Sequence, residues 1–272
     1  MVNTSIFKSI FSKKNVILLQ ELVRTDFKLR YQNSTLGYAW SLLRPLFLFL
    51  ILYTVFVKFL RLGGDIPNFP VYLLLGIVMW TFFAEITQQS TFAIVGRGDL
   101  IRKIKIPRWI IIISVTISAL VNFLLNLVIV GVFMVFTQVT PSPSMLLFPI
   151  LLIELYIFSL GVSLWLATLY VKYRDISYIW EIIMQGLFYL TPIIYPLSLL
   201  KQQWMQQVIL LSPVAQTIQG SRWALISNET ITFDKVFGSP LWYILPLGLV
   251  AFIFTTGVLY FKKESKYFAE NI

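Results

Sequence analysis

From Trp109 to Phe136 the chain carries no charged residue. An apolar run longer than about 18 residues reads as a membrane-crossing helix, because hydrocarbon offers a backbone group no partner and only a helix or closed barrel satisfies its own. Five further stretches share this character and are nearly as free of charge: Leu36–Leu60, Val71–Val95, Phe148–Val171, Ile176–Tyr195 and Leu241–Phe261. Of the 272 residues, 58% are hydrophobic and 12% charged, where soluble domains carry about a quarter charged. The expectation is an all-α membrane protein with six transmembrane helices.

The basic residues orient those helices, since short cytoplasmic loops retain Lys and Arg. They gather at Lys8, Lys13, Lys14, Arg24, Lys28 and Arg30, in the loop Gly96–Arg108, at Lys172 and Arg174, and at Lys262, Lys263 and Lys266. The alternate loops hold only Arg61, Lys201, Arg222 and Lys235, with Lys58 near that side. Both termini are therefore expected in the cytoplasm. The net charge of +10 belongs to membrane topology, not to nucleic-acid binding. No pattern of a cleaved signal peptide stands at the N-terminus, so the first span is expected to serve as its own insertion signal.

The chain has no cysteine and no histidine, which removes disulfides, thiolate and imidazole metal sites and every histidine-based acid/base scheme. It has no G-x-x-x-x-G-K-[ST] either, so it cannot cradle nucleotide phosphates in a P-loop. GRGDLI at 96–101 is not G-x-G-x-x-G and precedes no strand. No catalytic residue, metal ligand or bound cofactor is expected on this chain.

Two segments look built for contact beyond the bilayer. Between Asn15 and Tyr31, Val16, Leu19, Leu22, Val23, Phe27 and Leu29 recur at roughly helical spacing opposite Gln20, Glu21, Arg24 and Lys28. That is a helix lying in the cytoplasmic interface, or else a solvated helix of a small soluble cap. In the loop 96–108, Leu100, Ile101 and Ile104 share a helical face opposite Arg102, Lys103 and Lys105, and Pro107 ends the turn. This is either a plain basic loop or a short docking helix that a soluble partner grips.

The spans contain their own exceptions. Pro45 removes a ladder hydrogen bond and predicts a kink two turns into the first span. Arg44 beside it snorkels to headgroups or faces a wet cavity. Glu85, Thr87, Gln88, Gln89, Ser90 and Thr91 make the second span half polar, so it must line water or protein. Ser114, Ser118, Asn122 and Asn126 recur every four residues, a stripe suited to joining helices or lining a pore. Glu85, Glu154 and Glu181 leave room for proton coupling, although so few ionisable groups make a thin relay. TPIIYP at 191–196 must interrupt the fifth span. Residues 197–240 then form two amphipathic pieces parted at Ser212 and Pro213, read as a re-entrant or interfacial helical hairpin on the outer face. The division is thus an N-terminal interfacial segment 1–35, a six-helix transmembrane domain 36–262, and a cytoplasmic tail 263–272.

Six blocks add a resemblance: RYQNSTLGYAWSLLRPL at 30–46, GIVMWTFFAE at 76–85, DLIRKIKIPR at 99–108, YRDI at 173–176, YLTPIIYP at 189–196 and SPVAQTIQGSRWAL at 212–225. In this order, over nearly the whole chain, they resemble the ABC-2 type permeases that export lipid-linked cell-surface polysaccharides, including O-antigen and teichoic acid exporters. Each block alone is weak and their conjunction is specific. Ser212 departs from the asparagine more usual before that proline.

The resemblance implies two permease copies with two P-loop ATPase subunits in a bacterial plasma (inner) membrane, with ATP and Mg²⁺ bound by the ATPase. It implies that the interfacial helix, with Glu21 and Arg24, and the loop, with Arg97, Asp99, Leu100, Ile101, Arg102, Lys103, Lys105, Pro107 and Arg108, contact the ATPase. A polyprenyl-pyrophosphate-linked polymer would arrive from the inner leaflet, its phosphates met by Lys28, Arg30 and Arg44. Tyr38, Trp40, Trp80, Phe83, Glu85, Gln88 and Gln89 are the conduit candidates, the aromatic ones being equally suited to core packing or an interfacial belt. The competing classes are a membrane-embedded glycosyl or phosphotransferase acting on a lipid carrier, an ABC-2 exporter of a small hydrophobic compound, and a passive channel or scaffold.

Overall fold

The computed structural model describes residues 12–30, 36–37, 39–61, 66–103 and 106–271. Tyr38, Lys105 and the side chain of Arg30 lie outside the described residues. All regular structure among the described residues is helical.

Helix α1 (Lys13–Arg30) starts at Ser12, whose hydroxyl accepts from the Asn15 amide at 3.4 Å, an N-cap contact. Helix α2 (Ala39–Leu52) runs on through Pro45, then loosens into π-helical turns over Tyr53–Phe59. Helix α3 (Phe69–Ala93) begins after Asn68, held at φ 55°, a left-handed conformation that asparagine tolerates better than most residues. A 3₁₀ turn (Val95–Arg97) leads to the short α4 (Gly98–Lys103). Then come α5 (Trp109–Phe136), α6 (Phe148–Lys172) and α7 (Ile176–Leu190). Three shorter helices follow, α8 (Gln203–Leu210), α9 (Pro213–Leu225) and α10 (Phe233–Phe237). The chain ends with α11 (Ile244–Glu264) and α12 (Phe268–Asn271).

Among the described residues, five stretches are long and apolar enough to cross a membrane: Ala39–Phe59, Phe69–Ala93, Trp109–Phe136, Pro143–Lys172 and Pro240–Glu270. The expected fifth span is the exception. α7 has 15 residues, roughly 22 Å at 1.5 Å per residue, and stops at Leu190 because Pro192 and Pro196 cannot continue it. Six full-length helical spans are therefore not what the described residues form.

Helix α3 is the axis of the fold. Every residue from Val71 to Trp80 is buried, and α2, α5, α6, α7 and α9 all pack on it. Its polar half is satisfied partly within itself: the Thr87 and Thr91 hydroxyls donate to the carbonyls of Phe83 and Thr87 at 3.0 and 2.8 Å. Ser163 of α6 donates to the Ile86 carbonyl at 3.3 Å, and the Thr116 and Tyr156 hydroxyls join α5 to α6 at 2.9 Å.

Helices α6 and α11 meet at two glycines. A Cβ on Gly257 would lie 2.6 Å from the Gly161 carbonyl oxygen, and one on Gly161 would lie 2.8 Å from Phe254 backbone atoms. No larger residue permits so close a crossing. Trp165 then stacks on Tyr260 with centroids 4.6 Å apart, and Lys172 pairs with Glu264 at 2.7 Å where the two helices end.

The segment 197–240 keeps its break at Ser212–Pro213, but its halves are unlike. α8 is amphipathic and mostly half-buried; α9 is buried from Pro213 to Arg222. The expectation was a re-entrant or interfacial hairpin; α9 packs on α6 and α3, so this half is not a piece lying on the surface.

Candidate functional site

A groove runs along one face of α3. Trp80, Ala84, Gln88 and Phe92 succeed one another at four-residue steps, which places them on one stripe of the helix. A cavity of about 530 Å³ opens between this stripe, α2 and α5, bordered by Trp40, Ser41, Arg44, Glu85, Gln89, Asn122 and Asn126. Two more, about 330 and 380 Å³, open between the stripe and α7, bordered by Trp180, Glu181, Gln185 and Phe188 among others. Gln88 borders all three, so the three cavities line one face of α3.

The polar wall of the groove is wired through the stripe on α5. Asn122 donates to the Glu85 carboxylate at 2.7 Å, as does Gln89 at 3.1 Å. Asn126 donates to the carbonyls of Ser41 and Asn122 at 3.2 and 2.9 Å. The stripe therefore joins α5 to α3 and α2 and also faces a cavity, uniting the two roles its spacing left open. Trp80 meets Phe188 edge-on at 5.8 Å.

At the basic-loop end, a clasp ties three segments together. Arg97 pairs with Asp26 of α1 and donates to the Ser114 hydroxyl of α5 at 3.0 Å and to the Ile111 carbonyl at 3.3 Å. A further cavity of about 490 Å³ lies over this clasp and shares Gln89 and Phe92 with the groove. The loop, α1 and the groove are thus neighbours in space.

At the opposite end sits Arg222 of α9, fully buried. Its guanidinium lies 3.6 Å from the centroid of the Tyr72 ring, a close cation–π contact. It donates to the carbonyls of Tyr72 (3.0 Å), Ile193 (2.8 Å) and Pro192, and to Gln219 Oε1 at 2.9 Å. Tyr72 donates to the same Gln219 oxygen at 3.0 Å. One side chain thereby fastens α9, α3 and the broken end of α7.

The residues singled out from sequence fall into distinct places. Trp40, Arg44, Trp80, Glu85, Gln88 and Gln89 converge on the groove. Phe83 does not; it is 1% exposed and packs on Phe158, Trp80 and Trp180 in the core. Arg102, Lys103 and Asp99 are exposed on α4, with Leu100, Pro107 and Arg108 half-buried. Ile101 is buried in the chain's own cluster with Phe261 and Phe268. Ile101 thus anchors the loop helix to the chain's own core, while Asp99, Arg102 and Lys103 stay exposed. Glu21, Arg24 and Lys28 are exposed along α1. Arg97, grouped by sequence with the outward-facing loop cations, turns inward to its clasp.

Sequence reasoning missed Asp26 and Arg222. Asp26 looked like one charge among several on an amphipathic helix, and Arg222 like an ordinary loop cation. Among the described residues no three His, Cys, Asp or Glu side chains cluster as a metal site.

Residues 17–226 match the ABC-2 type transporter family. The chain is 31% identical over 255 residues to the O-antigen export system permease protein RfbA of Klebsiella pneumoniae, covering 93% of this chain and 94% of that one. It is 31% identical to the RfbA of Myxococcus xanthus over 258 residues, 94% of this chain and 95% of the relative. The polysialic acid transport protein KpsM of Escherichia coli is 26% identical over 216 residues, 77% of this chain and 81% of KpsM. A match running from the second turn of α1 to the end of α9, together with relatives aligned nearly end to end, places this chain in the ABC-2 type transporter family.

Proposed function

We propose that this chain is the permease subunit of an ATP-driven exporter in a bacterial inner membrane. It moves a polyprenyl-pyrophosphate-linked cell-surface polysaccharide, of the O-antigen or wall teichoic acid kind, from the cytoplasmic to the outer side. The observation that carries the reading is the groove on α3: aromatic faces alternate with amides and carboxylates along it, and its basic-loop end touches the Asp26–Arg97 clasp. Sugar rings stack on aromatic faces and exchange hydrogen bonds with amides, and neither contact is strong enough to arrest a sliding polymer. The relatives named for O-antigen export support the choice of cargo.

In this reading two copies face each other to close the groove into a conduit, and two ATPase subunits bind below. Permeases of this family generally work with an ATPase subunit. Arg102, Lys103 and Asp99 on α4, with Glu21 and Arg24 on α1, meet the ATPase, which binds ATP and Mg²⁺. Its closure moves α4, and the clasp carries that motion to α1 and α5. Lys28, Arg30 and Arg44 hold the pyrophosphate of the carrier at headgroup depth. The termini lie in the cytoplasm; α7 together with the non-helical 191–196 makes the sixth crossing, and α8 and α9 return into the outer leaflet as the conduit's cap.

Affinity purification from the native membrane tests the assembly. An equimolar P-loop ATPase that hydrolyses ATP in the complex is expected; recovery of the chain without one in every mild detergent contradicts the proposal.

A further inference from the structure

The chain holds 22 Lys and Arg, yet among the described residues only Arg44 borders the three groove cavities. The other ionisable borders of opposite sign are carboxylates, Glu85 and Glu181. Basic residues are thus plentiful at the ends of the helices and almost absent from the track between them. A polymer bearing an anion in every repeat would meet carboxylates along a wall of low dielectric, where like charges repel far more than in water. It would also lose water from each anion without a cation to replace it.

We propose that the groove selects uncharged glycans over polymers carrying a phosphate or carboxylate in each repeat. This rests on the export reading above and narrows its cargo to uncharged glycans of the O-antigen kind, against the phosphate-bearing teichoic acids that the reading also admits. The single pyrophosphate of the carrier is no obstacle, since it meets Arg44 at the rim and does not recur along the polymer.

The test uses the permease together with its own ATPase in two hosts whose exporters have been deleted. One host assembles a lipid-linked galactan without charge, the other lipid-linked polysialic acid. Surface polymer is measured relative to the lipid-linked pool inside. Galactan is expected to leave about tenfold more efficiently, the effect of one like-charge contact in a partly shielded groove. Glu85→Gln with Glu181→Gln should raise the ratio of polysialic acid to galactan several-fold, and Glu181→Lys, at an exposed position, should raise it further. Equal export of both polymers by the unaltered protein overturns the selectivity and leaves the export reading intact. A tenfold preference unmoved by either variant also overturns it, because the choice then lies outside the groove. Export of neither polymer overturns the export reading and the inference with it.

Discussion

At the scale of single residues, Arg222 is the least legible feature of the chain and one of the most consequential. Its neighbours are the carbonyls of Tyr72, Pro192 and Ile193, and a backbone acceptor leaves no mark in a sequence. A count of basic residues therefore placed Arg222 in a loop. The polar run from Glu85 to Thr91 was legible for the opposite reason, since six such residues in an apolar helix must face something other than lipid. Arg222→Met removes charge-assisted hydrogen bonds and strands the carbonyls of Pro192 and Ile193, a loss of about 3 kcal/mol. The detergent-solubilised protein should melt well below the native one, and an unchanged midpoint would refute the lock. Gly76 offers an independent check, because its Cβ would overlap the Arg222 guanidinium. Gly76→Leu should cost a similar amount, and the double variant much less than the sum, as residues sharing one interaction do. Additive losses would show that the two do not act on each other.

At the scale of elements, helix positions followed from apolar runs and prolines, whereas their mutual packing did not. The crossing of α6 and α11 depends on Gly161 and Gly257, and two isolated glycines in separate spans carry no pairing signal. Gly257→Val forces a side chain against the Gly161 carbonyl and should destabilise by about 1–3 kcal/mol or more. Thermal unfolding measures it, and a neutral result would mean the helices part without cost. The clasp between α1 and the loop was equally hidden, since Asp26 and Arg97 are far apart in sequence and each sits among other charges. Asp26→Asn weakens that joint while leaving the exposed face of α4 untouched. ATP hydrolysis by the purified complex should stay within about two-fold of the native rate while polymer export falls by about tenfold, the equivalent of one lost charged contact. Parallel loss of both would place Asp26 in ATPase docking instead of in transmission. The 15 residues of α7 show the limit of reading spans from hydropathy: Tyr195 is apolar enough to extend the run, but the prolines on either side end the helix first.

At the scale of the molecule, charge is arranged by zone. Cations crowd the basic-loop end, a polar and aromatic groove with two carboxylates runs along α3, and a buried guanidinium locks the far end. The first zone was visible as sequence clusters. The groove appeared only as separate candidates, Trp40, Trp80, Glu85 and Gln88, whose convergence needed the packing of α2 and α7 on α3. In the function proposed above, these zones make a permease driven from one end and closed at the other. Deleting the gene in its native host and following the lipid-linked polysaccharide tests that account most directly. The polymer should vanish from the cell surface and accumulate, full length and still on its carrier, on the cytoplasmic side, with both effects reversed by the native gene. Polymer that still reaches the surface, or that disappears without an internal pool because it is no longer made, would contradict the account.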